Sequence, residues 1–169
     1  MYYLTIRQFA RSLRNLDAIL TKAETYAQQR GFDVNNLVSA RLAPDMLPFV
    51  AQIRIACDNA KAAAANLSGK AAPKHEDNEK TFEELHGRIA KCLAFVDGLT
   101  EADFANVKPE TPVKLQYPPN KALRANDYVF GRQIPNFYFH VVTAYDILRQ
   151  AGVDVGKPDY LGELPLIDA

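Results

Sequence analysis

Apolar residues recur at alternating steps of three and four in four separate stretches of the chain. The first runs Ile6, Phe9, Leu13, Leu16, Leu20, Ala23 and Ala27, and the second Met46, Val50, Ile53, Cys57, Ala60, Ala64 and Leu67. The third runs Phe82, Leu85, Ile89, Cys92, Val96 and Leu99, and the fourth Ile134, Phe137, Val141, Ala144, Leu148 and Ala151. Such spacing keeps one narrow stripe of each helix turned toward a neighbour. Four stripes of this kind predict an all-α fold, a four-helix bundle with crossings near roughly 20°.

Local punctuation agrees with the stripes. Gly31 follows the first helix, Ser68 and Gly69 close the second, Gly98 follows the third and Gly152 closes the fourth. Thr81 with Glu84 makes a capping box for the third helix. The second helix is expected to start at Pro44 or Asp45, which puts Pro48 in its first turns. Between the third and fourth helices, Val113 to Tyr117 alternates apolar and polar, Pro118 to Asn120 turns the chain, and Lys121 to Arg124 returns. This predicts a small β-hairpin lying against the bundle, since a lone hairpin is marginal in water. A further turn over Tyr128 to Arg132 is expected before Pro135 interrupts the approach to the last helix. The charged segment Gly69 to Lys80 is expected to be mobile, and the tail after Gly152 irregular.

The chain has 169 residues, which suits a single domain spanning 1–169. Twenty basic side chains balance twenty acidic ones, so the electrostatic footprint of a nucleic-acid binder is missing. No apolar run reaches the roughly 18–20 residues of a membrane span, and Met1 to Arg7 lacks the pattern of a secretory signal. The expectation is a cytoplasmic protein with no membrane and no nucleic-acid partner. Cys57 and Cys92 fall on buried stripes, where thiols behave as small hydrophobes.

Phe137, Tyr138 and Phe139 are consecutive, so their rings point three ways around the fourth helix. Phe139 and Val142 lie opposite the stripe and need cover. The tail, with Tyr160, Leu161, Leu164, Leu166 and Ile167, is the nearer cover; a second subunit in a homodimer is the alternative.

Candidate chemistry is sparse. His140 lies about 60–70° from the centre of the fourth stripe at 100° per residue, on a flank lining a groove between helices. A metal ligand partner would stand three or four residues away, where only Asn136 and Thr143 carry ligand atoms. On spacing alone a hydrogen-bonded structural histidine is favoured. His86 reads as a half-exposed helix residue and His75 as part of a solvated acidic turn. Arg7, Arg11 and Arg14 share the outer face of the first helix, as an anion site, a solvated face or a subunit contact. No Gly-rich phosphate loop and no nucleophile elbow is present.

The stretches Arg41–Gln52, Glu76–Leu85, Pro135–Tyr145, Ile147–Arg149 and Gly152–Gly162 resemble an uncharacterised branch of the DinB/YfiT-like superfamily, bacterial four-helix bundles described as metal-dependent enzymes. The resemblance implies a divalent nickel or zinc held by three histidines, one on the second helix and two in a His-x-x-x-His on the fourth. Counting back from Gly152, His140 takes the second of that pair, Asn136 the first, and Gln52 the second-helix position. One imidazole of three remains, and amides hold such metals poorly.

The resemblance further implies thiol-dependent transfer, with His140 as surviving ligand or general base and Asn136, Gln52 and Tyr145 orienting substrate. His140 and Tyr145 are then the catalytic candidates, and a small thiol the partner. The alternative is a metal-free bundle that binds a small molecule or serves as a dimeric scaffold without catalysis. Whether the protein is an enzyme stays open at this point.

Overall fold

The computed structural model describes residues 1–168. Helix α1 spans Tyr2–Arg30, and every residue of its predicted stripe is buried. Gly31 ends it at φ 72°, in the left-handed region where a side chain is strained. A short 3-10 turn, Val34–Leu37, leads through an irregular link to α2, Phe49–Ser68.

Helix α2 starts later than Pro44. A proline disfavours helical geometry in the residue before it, so Leu47 stays outside the helix and Pro48, extended at φ −70° and ψ 166°, becomes the cap. The opening amides find no capping side chain; Phe49 N–H donates to the Ala40 carbonyl (2.8 Å) and Val50 N–H to that of Val38 (3.1 Å). Met46 thereby leaves the stripe and Phe49 replaces it, stacked on Phe82 at 5.5 Å. The rest of the predicted register holds, from Ile53 through Leu67.

Helix α3, Phe82–Asp97, begins at the expected Thr81–Glu84 capping box. Its buried face carries Phe82, Leu85, Ile89, Cys92 and Val96, and also Arg88. After a 3-10 turn at Glu101–Phe104, strands β1 (Pro112–Lys114) and β2 (Ala122–Arg124) pair antiparallel with Val113 opposite Leu123. Val113 is buried against the bundle, so the hairpin lies where marginal stability requires.

Pro135 does not interrupt the chain. Helix α4 (Ala125–Tyr128) passes through a π turn, Val129–Gln133, directly into α5, Ile134–Gln150. The wider turn accommodates a residue without an N–H, which a regular helix interior would not. The buried face of α5 holds Phe137, Val141, Ala144 and Leu148 as predicted, and adds His140, Thr143 and Ile147. Its centre is displaced toward His140 by about 40° at 100° per residue.

The tail forms a short helix, α6 (Lys157–Leu161), laid on α1. It is tied there by Lys22 to Asp159 (2.9 Å), Asn15 to the Tyr160 carbonyl (3.0 Å) and Arg11 to the Leu161 and Glu163 carbonyls (2.8 Å each). Arg7 and Arg14 both reach Asp97 of α3. The arginine face of α1 is thus an internal tie. The tail does not cover the outer face of α5, where Phe139 and Val142 remain 56% and 40% exposed.

Candidate functional site: an imidazole–amide seam between α2 and α5

His140 is buried on α5, with its Nδ1 2.7 Å from Oε1 of Gln52 on α2. Gln52 is 1% exposed and its Nε2 donates to the Leu47 carbonyl at 2.9 Å. The amide nitrogen is committed to a carbonyl, so the oxygen must face the ring, and an oxygen can only accept. The hydrogen-bond pattern therefore assigns the proton to Nδ1 and a lone pair to Nε2. Burial holds His140 below the ordinary histidine pKa, which keeps the ring neutral near pH 7. The Phe139 ring meets it edge-on with centroids 5.2 Å apart.

Late helix initiation leaves the Leu47 carbonyl outside the helix, and Gln52, on the inward side next to Ile53, turns its amide back to donate to it. Asn136, one turn before His140, is half-buried and donates to Asn59 Oδ1 at 2.9 Å. Asn59 in turn donates to the Ile55 carbonyl. The result is a polar seam of Gln52, Asn59, Asn136 and His140 along an otherwise apolar contact. Sequence reasoning missed Asn59, although it stands seven residues from Gln52, two turns along the same face.

Tyr145 is not brought to His140. It lies about 140° further round α5, donates to the Val155 carbonyl at 3.2 Å and packs edge-on against Tyr160. Its role is to hold the tail. His86 is not merely a half-exposed residue, since its Nδ1 meets Asp17 at 2.6 Å and its Nε2 Glu24 at 3.4 Å.

The residues at the three expected ligand positions do not fit a nickel or zinc centre. Gln52 is engaged at both ends of its amide, and Asn136 offers only a neutral oxygen. His140 contributes one nitrogen where a stable site takes about four nitrogen or sulfur donors. Among the described residues no group of three or more His, Cys, Asp or Glu side chains is placed to hold a metal ion.

Four long helices around one core, a hairpin before the last and a polar seam facing that core define a helical bundle of the DinB/YfiT-like type. Residues 1–161 match the family described as a domain of unknown function, DUF1993, and the chain belongs to that family. It is similar to the crystal structure of a DinB family member from Shewanella denitrificans, at 44% identity over 99% of this chain and 95% of that one, with a TM-score of 0.93. No curated protein matches the chain. Among the described residues no helix is long and apolar enough to cross a membrane.

Proposed function

We propose that the protein is a metal-independent bundle that binds a small molecule through His140. The observation that carries this reading is the Nδ1–H to Gln52 pairing, the one hydrogen bond of the His140 ring among the described residues, which leaves the Nε2 lone pair as an acceptor. A neutral imidazole in that state accepts from a hydroxyl, amine or thiol, and Phe139 beside it offers an aromatic edge to an apolar body. Phe139 and Val142, one turn apart and exposed, are the face through which two copies would pair in a homodimer.

The test is elemental analysis of untagged protein purified without chelator, beside His140→Ala. No stoichiometric metal in either is expected, with the His140 ring resonance of the wild type moving on titration with small hydroxyl or thiol compounds. About one metal per chain, lost on mutation, would overturn the metal-free reading. A resonance that ignores every compound would overturn the binding clause. Light scattering of Phe139→Asp beside wild type tests the dimer.

The lone pair at Nε2 also favours a second reading, thiol-dependent transfer without metal. There His140 takes the thiol proton while sulfur attacks an electrophile and displaces its leaving group. Thiol-dependent turnover that vanishes in a folded His140→Ala variant would establish it.

A further inference from the structure

The segment between Gly69 and Lys80 has no regular structure, and among the described residues none of 71–79 makes a backbone–backbone hydrogen bond. Side chains hold it instead. Arg88 of α3, its side chain 1% exposed, reaches Asp77 at 2.5 Å and Glu79 at 3.0 Å, and also Asp58 of α2 at 2.9 Å. Arg54 of α2 grips Glu79 through both the carboxylate (2.7 Å) and the carbonyl (2.6 Å). These ties are ion pairs, with one charged hydrogen bond to a backbone carbonyl. Burial works against the charge on Glu79 and on Arg88. Even so, their mutual hydrogen bond holds Glu79 below the usual carboxylate range and Arg88 above its ordinary value.

His75 is the remaining anchor and differs in kind. Its side chain is 4% exposed although its neighbours Lys74 and Glu76 are exposed. Nδ1 stands 3.3 Å from Lys61 Nζ, a group that only donates, so Nδ1 accepts and the proton sits on Nε2. Nε2 is sealed from solvent with no partner. The ring also forms a wall shared with Lys74 between two hollows, about 430 Å³ toward Lys91 and about 630 Å³ toward Lys114 of the hairpin.

We propose that residues 70–80 form an acid-released latch, closed by neutral His75 against Lys61 and opened when the ring gains a proton. Protonation removes the acceptor that Lys61 uses and sets a second cation against it, with Arg88 behind and Lys74, Lys91 and Lys114 lining the adjoining hollows. Asp58 (3.7 Å), Glu79, Glu76 and Asp77 oppose this, but Asp58, Asp77 and Glu79 are already engaged by Arg88. Burial of the ring adds the desolvation cost of the charged form, the largest of these effects, and the cations add to it. Withdrawal of the ring joins the two hollows into one cleft between α2, α3 and the hairpin.

With only three histidines, the ring resonances of the whole chain are readily assigned by mutation. Backbone relaxation then reads the latch at about pH 7.5 and about pH 5.5, on either side of the histidine range. The expected result is an order parameter for residues 71–79 falling from about 0.85 to below about 0.6 on acidification, as the His75 ring protonates and α1 stays rigid. In His75→Leu, which never charges, the segment is expected to stay ordered at both pH values. Should that variant lose order at both, Lys61→Met decides: it removes one opposing cation and leaves burial and Arg88, so its segment should loosen at a lower pH than the wild-type segment. A wild-type segment that stays rigid with His75 protonated overturns the latch. Acid loosening of His75→Leu or Lys61→Met equal to wild type does the same.

Discussion

The His140 imidazole and the Gln52 carboxamide meet at 2.7 Å across the α2–α5 contact, and Gln52 is anchored at its other end by the Leu47 carbonyl. The second bond fixes the direction of the first, so a backbone carbonyl at the mouth of α2 decides which nitrogen of a ring on α5 carries the proton. The pairing occupies both ends of the Gln52 amide, so neither of its polar atoms is free for another partner.

Removing Gln52 strands the groups at both its ends. Gln52→Leu leaves the His140 Nδ1–H and the Leu47 carbonyl without partners, at a cost of about 1–3 kcal/mol, measured as a lower urea midpoint at unchanged slope. Gln52→Glu keeps an acceptor and adds a negative charge, which favours the imidazolium. The His140 titration, followed by its ring resonance, should move upward in that variant. A titration unchanged from wild type would mean the two side chains do not interact in solution.

The pH dependence has a definite sign. His140 is held below its ordinary value by burial, and His75 by burial and then by Lys61 and Arg88. Both fold as neutral rings, and the unfolded chain takes up their protons first. Stability from each is fully present above the unfolded value of about 6.5 and is lost as pH falls below it toward the lower folded value. The urea midpoint should therefore drop between about pH 6.5 and about pH 5. His140→Phe should flatten that drop in part, and His140→Phe with His75→Leu should flatten it further. A wild-type midpoint that stays level over this range would contradict the assignment.

What the sequence made legible was whatever depends on local pattern. The stripe residues of α1 and α3, the Thr81 box and the turn at Pro118 to Asn120 rest on period and capping, which are written into short stretches. Two local rules competed at Pro48, and the steric restriction on Leu47 prevailed over tolerance of proline in a first turn. That choice left the Leu47 carbonyl free to orient the Gln52 amide, so the clearest site contact depended on a boundary, the least legible feature of any helix. Tyr145 and Arg11 depended on where the tail runs, and Arg7 and Arg14 on the approach of Asp97 from α3, neither of which periodicity encodes. Arg88 sat in plain view on the α3 stripe, but a charge there reads as an interruption until its three carboxylates are brought up from α2 and the 69–80 segment.

Arg88 should consequently be a large stability determinant. Arg88→Met keeps the stem and removes the cation from Asp58, Asp77 and Glu79, of which Glu79 is only 12% exposed. Breaking a buried pair costs about 3–5 kcal/mol, and the lower end applies because Asp58 and Asp77 reach water. Glu79, freed of the bond that depresses it, should return upward toward the ordinary carboxylate range, seen in a carboxyl titration. A change within about 0.5 kcal/mol, the range of ordinary surface substitutions, would show that the cluster is a solvated face.

Gly162 closes α6 at φ 66° and ψ −170°, a conformation open essentially to glycine alone. A Cβ there would also stand 2.4 Å from Asn15 Oδ1 and 2.7 Å from its Nδ2, the amide that holds the Tyr160 carbonyl. Gly162→Ala therefore meets two penalties, backbone strain of about 1–3 kcal/mol and loss of the Asn15 tie. The chain relieves both by releasing α6 from α1, so the damage should be local. Amides of residues 157–162 should lose protection from hydrogen exchange while those in the middle of α1 keep theirs. Asn15→Ala combined with Gly162→Ala removes the clash but leaves the strain, and should lose no more protection than Gly162→Ala alone. If the double variant were much worse than either single one, the two residues would be acting on α6 independently, and Asn15 would not be the neighbour that requires glycine at position 162.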